Sequence, residues 1–206
     1  DILNLDHLAQ TFEEASPDVV INFAAYTNVD EAENQKGDKK GICYQINAIG
    51  AKNVAEVSKK VGSHLIHIST EYVFDGKKSE GPYTEEDKPN PINWYGQTKN
   101  YADEFVLQSG ANNTIARICM PYSARHELKK DIARFFLGQL KMGKEISAVN
   151  DQRITPTLVD NITNALKILV EQRKIGIYNV SCTESTTPYE FAKKLAQTWG
   201  LPLLPI

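Results

Sequence analysis

Short apolar runs alternate with amphipathic helical stretches along nearly the whole chain, and that alternation restricts the fold more than any other feature. DVVINFAA (18–25) follows Pro17 and reads as a strand buried on both faces, and HLIHIST (64–70) reads as a second buried strand. TIARIC (114–119), Glu145–Val149 and Gly176–Val180 read as three more strands. Between them lie helical patterns. Leu5–Ala15 puts Leu5, Leu8, Ala9 and Phe12 on one face, and Tyr44–Val61 ends at Gly62, a residue suited to a C-cap. Asn93 can cap a helix running to about Ser109. Further helices are expected over Lys129–Met142, Leu158–Gln172 and Pro188–Trp199, the last capped by Thr187. Pro89 and Pro91 keep 82–91 as a loop. Strands alternating with helices of roughly ten or more residues predict an α/β protein with a doubly wound parallel sheet, whose sites lie at the carboxyl ends of the strands. The composition loosens after Tyr122, where Ser123–His126 reads as a surface excursion, and a domain boundary is expected there.

Charge and cysteine usage exclude several function classes. With 23 Lys and Arg against 26 Asp and Glu, the formal net charge of −3 offers no footprint for a nucleic-acid backbone. No stretch approaches the roughly 18 apolar residues of a membrane span. Cys43, Cys119 and Cys182 are widely spaced and odd in number. They form neither a disulfide framework nor a metal site, which fits a reducing, cytoplasmic compartment.

The sharpest chemical signal is Tyr95-Gly-Gln-Thr-Lys99 at the start of a predicted helix. Spacing i, i+4 puts both side chains on one face. An ammonium near a phenol favours the phenolate, so Lys99 is expected to lower the Tyr95 pKa and let it exchange a proton with an alcohol or a forming alkoxide. Five residues alone read more readily as a helix surface pair. Their setting adds weight: Ser69-Thr70-Glu71 closes one strand, and Asn22-Phe23-Ala24-Ala25-Tyr26 closes another with alanines small enough for a flat cofactor to approach the backbone.

Taken together, HISTEYVFDG, the PYTEEDKPNPINWYGQTK run and VNDQRITPT resemble the dTDP-4-dehydrorhamnose reductases, which are extended short-chain dehydrogenase/reductases. The resemblance covers nearly the whole chain. It implies a Rossmann-like dinucleotide-binding domain over 1–122 and a smaller substrate-binding subdomain over 123–206, some of whose segments return to the first. It implies NADPH or NADH as cofactor and a nucleotide-sugar substrate reduced at its C4 ketone. Thr70, Tyr95 and Lys99 fall on the family's catalytic positions. Asp1 and Ile2 would lie near the adenine, and Ala24, Ala25 and Tyr26 near the phosphates and ribose. Asn47, in QINAIGAKN, matches a helix asparagine of the wider superfamily. Glu71 stands where the family usually has Asp, Met120 where it has a pocket Trp, and Asp151, Gln152 and Arg153 where it grips the nucleotide. The family opens with a glycine-rich βαβ unit. The resemblance therefore implies a longer protein, with roughly 30 or more residues ahead of Asp1 and a further stretch after Ile206. A nucleotide-sugar epimerase or dehydratase, and a non-catalytic regulatory subunit like that of methionine adenosyltransferase, are the alternatives on the same scaffold.

Other eye-catching residues have plainer readings. His64 and His67, three apart on a strand, point to opposite faces and read as structural, so no metal site is expected. Asp30, Glu31 and Glu33 read as a solvated loop and helix start. Cys119 reads as a small buried hydrophobe, and Trp94 as either a structural aromatic or a cover for the substrate entrance. Phe135, Phe136, Leu137 and Leu140 read as core or dimer-facing, which leaves a homodimer open.

Overall fold

A computed structural model describes residues 1–110, 112–123 and 131–202. In chain order these form α1 (Leu5–Ala15), β1 (Val19–Asn22), α2 (Val29–Glu33), α3 (Ile42–Tyr44), a π-helical stretch (Gln45–Gly50), α4 (Ala51–Val61), β2 (His64–Thr70), a 3-10 turn (Glu71–Val73) and α5 (Trp94–Gln108). There follow β3 (Asn113–Ile118), β4 (Pro121–Tyr122), α6 (Ile132–Lys141), β5 (Thr157–Leu158), α7 (Val159–Glu171), β6 (Gly176–Val180) and α8 (Pro188–Thr198). The chain divides into two compact units, 1–117 with 166–179 and 118–165 with 180–206. Among the described residues, no helix is long and apolar enough to cross a membrane.

The first unit is built on a sheet of order β1-β2-β3-β6, with β1 and β2 parallel and Val19 opposite His64. β2 is buried along its whole length, as an inner strand should be. β1 is an end strand of this order and is less covered than its sequence suggests, with Ile21 38% exposed. It also stops at Asn22, earlier than the apolar run, because the Asn22 carboxamide oxygen takes the Ala24 N–H at 3.1 Å and turns the backbone out of the ladder. One core cluster joins Leu8, Val54, Ala55, Val57, Leu65, Ala102, Val106 and Ile115, from α1, α4, α5 and the strands. Their residues recur at helical spacing on α4 and α5, so burying that stripe fixes both helices against the sheet.

Helix ends follow their chemistry. Asn4 caps α1 by accepting from His7 N–H at 3.0 Å, and Asn93 caps α5 by accepting from Gly96 N–H at 2.8 Å. Gly62 closes α4 in the left-handed conformation, φ 75°. The long helix expected over 44–61 is instead interrupted by the π-helical stretch, whose Asn47 and Ala48 are buried. Acidic residues 30–33 lie in α2, a short helix capped by Asn28.

In the second unit Phe136, Leu140, Ile146, Ala192 and Ala196 form the core between α6 and α8. Asp131 caps α6 and Thr187 caps α8. β4 pairs with β5 in parallel, Pro121 opposite Thr157, and Ile154 and Thr186 exchange both backbone hydrogen bonds. Residues 145–149 form no strand: Ile146 is buried, but Val149 contributes only its carbonyl, to Tyr189 N–H at 3.1 Å. Thr157 and Leu158 pair as β5 rather than opening a helix. Cys119 is half-buried rather than buried, and Phe135 is 48% exposed while Phe136 and Leu140 are buried. From Ala124 to Lys130, the expected surface excursion and the expected start of the helix lie outside the described residues.

Candidate active site

The carboxyl end of β2 and the first two turns of α5 bring three of the sequence's candidates into one region. Thr70 ends β2, and its hydroxyl donates to Glu71 Oε2 at 2.7 Å while its oxygen caps the 3-10 turn by accepting from Tyr72 N–H at 3.3 Å. Tyr95 and Lys99 stand one turn apart on α5, both buried. Gly96 makes the approach possible, since a Cβ there would fall onto the Tyr72 carbonyl. The rings of Tyr72 and Tyr95 then meet edge to face, centroids 5.6 Å apart.

Electrostatics at Tyr95 differ from the sequence expectation. Burial first, and then the Glu71 carboxylate, push the phenol above its ordinary value, while a hydrogen bond with Thr70 partly offsets them. Lys99 does not lower it here because its Nζ is turned to the sheet, where it donates to the Ile68 carbonyl at 2.7 Å and meets the His67 ring at 3.2 Å. Lys99 is 2% exposed, and burial lowers its pKa to about 8 against the pull of Asp103 and Cys43. Behind it Asp103 is paired with Arg117 at 3.2 Å, both buried.

A second group gathers after β1. Ala24 is exposed, and Ala25 and Tyr26 are half-buried. Their turn is held by Asn47, whose carboxamide accepts from Tyr26 N–H at 2.7 Å and donates to the Tyr26 carbonyl at 3.1 Å. The same Nδ2 also reaches Thr98 Oγ1, at 3.0 Å, so Asn47 ties this turn to α5 between Tyr95 and Lys99. The π-helical stretch re-aims Asn47, a use such stretches often have. Nothing in the local sequence marks it beyond the asparagine itself.

The remaining candidates are placed as follows. Asp1 accepts from Leu3 N–H at 2.9 Å. Ile2 packs on the α4 core cluster, where Gly50 leaves room for it, and its carbonyl accepts from Asn53 at 3.0 Å. Met120 belongs to the second unit and holds a positive φ of 39°, which non-glycine residues rarely adopt. Asp151, Gln152 and Arg153 are exposed in that unit, and Arg153 donates to Ser185 Oγ at 2.8 Å. Trp94 is structural: it is buried and stacks on Tyr44, centroids 6.3 Å apart. Sequence reasoning assigned His67 to structure alone, and its place between Asn22 and Lys99 needed the pairing of β1 with β2 to become visible.

A parallel β1–β2 pair, flanking helices and polar residues gathered at a strand's carboxyl end define a Rossmann-like α/β protein. Comparison with known proteins narrows this. The chain belongs to the RmlD substrate binding domain family, whose sequence profile matches residues 1–205. It is 33% identical to the dTDP-4-dehydrorhamnose reductase of Burkholderia thailandensis over 97% of this chain and 67% of that protein. The NADP complex of dTDP-4-dehydrorhamnose reductase from Bacillus anthracis superposes with a TM-score of 0.91 at 36% identity, over 100% of this chain and 71% of that one. The methionine adenosyltransferase 2 subunit beta of Rattus norvegicus is 30% identical, over 95% of this chain and 58% of the relative.

Proposed function

We propose that this chain carries the reaction centre of an NAD(P)H-dependent reductase that converts the C4 ketone of a nucleotide-linked 6-deoxy sugar to an alcohol, dTDP-4-dehydrorhamnose to dTDP-L-rhamnose. The observation that carries the reading is Thr70 at the end of β2 with Tyr95 and Lys99 one turn apart on α5, all three buried. The donor set suits a dinucleotide: Lys99 Nζ keeps one N–H beyond its contacts with the Ile68 carbonyl and the His67 ring, and the alanine turn presents backbone with almost no side chain. Ala24, Ala25, Tyr26 and Lys99, with Asp1 and Ile2 toward the adenine, would hold NADPH or NADH, which supplies the hydride when bound. Asn47 contributes by fixing the turn through the Tyr26 backbone.

Tyr95 is the proton donor. Its raised pKa keeps the phenol protonated at neutral pH, which suits an acid that must deliver a proton to an oxygen gaining charge. Thr70 supplies a second hydrogen bond to that oxygen. A hydroxyl has one proton, so Thr70 must turn away from Glu71 to do so. Once Thr70 has turned, the Glu71 carboxylate can accept from a sugar hydroxyl. In the second unit, residues 118–165 with 180–206, we assign Met120, Asp151, Gln152 and Arg153 to the sugar nucleotide; a guanidinium is suited to a diphosphate. Cys43, Cys119 and Cys182 all keep thiols rather than disulfides, which supports a reducing, cytoplasmic setting.

The test follows NADPH oxidation by the full-length protein with dTDP-4-dehydrorhamnose. Turnover that falls about 10²–10⁴-fold in Tyr95→Phe supports the reading. Conversion of a nucleotide sugar with no net cofactor consumption would replace it with an epimerase or dehydratase. Cofactor binding without any turnover would replace it with a regulatory subunit, the reading favoured by the methionine adenosyltransferase relative.

A further inference from the structure

We propose that His67 is a positioning residue that ties the charge of Lys99 to the turn after β1 by moving its ring proton between the nitrogen facing Asn22 and the nitrogen facing Lys99. This rests on, and deepens, the reductase reading, in which Lys99 and that turn both hold the cofactor.

His67 lies in β2 and is fully buried. Its Nδ1 stands 3.3 Å from Asn22 Nδ2, and its Nε2 stands 3.2 Å from Lys99 Nζ. A neutral imidazole offers one donor and one acceptor nitrogen. The Asn22 oxygen already takes the Ala24 N–H at 3.1 Å, so the amide's NH₂ faces the ring and Nδ1 must accept. The ring proton then sits on Nε2 and points at Lys99 Nζ. That is a hydrogen bond only when Nζ has a lone pair, as the neutral amine.

The ammonium form demands the reverse. Nζ must donate, so Nε2 accepts and the proton moves to Nδ1. There it meets the Asn22 NH₂ unless the amide turns over, and turning over releases Ala24 N–H. A charged Lys99 and an intact Asn22–Ala24 bond therefore exclude one another in a well-bonded site. Because an unmatched buried polar contact is costly, the two changes are coupled.

The charged and titratable groups around the pair are few. His67 and the Ile68 carbonyl face Lys99 from β2, Asp103 from α5, and Cys43 from α3, while Asn22 faces the ring from β1. Arg117 on β3 is engaged with Asp103. Burial holds the His67 ring neutral, so it shuttles a proton between its nitrogens rather than gaining a charge. The Lys99 pKa of about 8 puts the exchange within an ordinary working range.

The experiment is a pH titration, from about 6.5 to 9.5, of the two ring nitrogens of His67 in the full-length protein, labelled with ¹⁵N-histidine and free of cofactor and substrate. His67→Gln assigns the signals among the histidines. The expected result is a proton on Nδ1 at low pH and on Nε2 at high pH, with a midpoint near 8. The Ala24 amide signal should shift with the same midpoint, and in Lys99→Met both should be independent of pH with the proton fixed on Nε2. A tautomer that stays constant across the range in the parent protein overturns the proposal. So does an exchange that survives in Lys99→Met. The parent titration decides the matter even if that variant does not fold. With no cofactor or substrate present, a constant tautomer beside normal NADPH oxidation defeats this inference alone, and a clear exchange beside absent turnover defeats only the reductase reading.

Discussion

The two units solve the problem of polar groups in opposite ways. Among the described residues, every buried polar or charged side chain except Thr157 lies in the first unit, in or beside its sheet. There Asn22, Asn47, His67, Lys99, Asp103 and Arg117 are all nearly inaccessible and bonded to one another or to backbone. In the second unit the core of Phe136, Leu140, Ile146, Ala192 and Ala196 is apolar, and the candidate binding residues 151–153 are exposed. Buried charge is expensive, and an ion pair of this kind is often no more stabilising than apolar residues of the same shape. Here those groups fix the Tyr26 turn, the Lys99 side chain and the end of β1. The second unit keeps almost all of its described polar side chains at least partly exposed.

That contrast can be broken by mutation. The largest stability effect is expected for Asp103→Ala, which leaves the Arg117 guanidinium buried without its partner. Urea unfolding should show a loss of about 3–5 kcal/mol. Replacing both residues with apolar ones should recover much of it; if the double variant is no better than the single, the pair contributes more to stability than the comparison allows. Asn47→Ala strips partners from Tyr26 N–H and its carbonyl and should cost about 1–3 kcal/mol. It should also weaken NADPH binding, measured by fluorescence titration, because the alanine turn loses its anchor.

A third expectation concerns acid. Burial keeps His67 and His64 below their ordinary value of 6.5 in the folded protein. The unfolded chain takes up those protons first, so stability is complete above about pH 6.5 and falls as pH drops below it. The slope approaches about 1.4 kcal/mol per pH unit for each histidine. His67→Phe should flatten the dependence of the urea midpoint between pH 7 and 5. The smallest stability effect belongs to the second unit. Arg153→Ala should stay within about 0.5 kcal/mol of the parent while raising KM for the nucleotide sugar about tenfold. A marked loss of stability there would mean that the bond to Ser185 supports the fold after all.

Legibility in the sequence followed the range of the forces involved. α1, β2, β6 and the start of α8 lie where apolar spacing and the Thr187 cap put them, because these act within a few residues. The Tyr95–Lys99 pair and its place beside Thr70 were visible as spacing on a helix and a hydroxyl at a strand's end. The strand expected over 145–149 did not form, because whether a short run finds a strand to pair with is not a local property. The π-helical turn at Asn47 escaped for a similar reason: its geometry answers to Tyr26 and Thr98, far away in the chain.

What the sequence determined by itself was the main alternation of strands and helices in the first unit and the residue types at the candidate site, since both follow from short-range periodicity and from the chemistry of single side chains. Only the tertiary structure decided the electrostatics. Lys99 turned toward His67 and the Ile68 carbonyl, and Tyr95 raised rather than lowered in pKa, are outcomes of burial and of partners brought in from other elements. Desolvation depends on everything packed around a group, and no spacing along the chain encodes it.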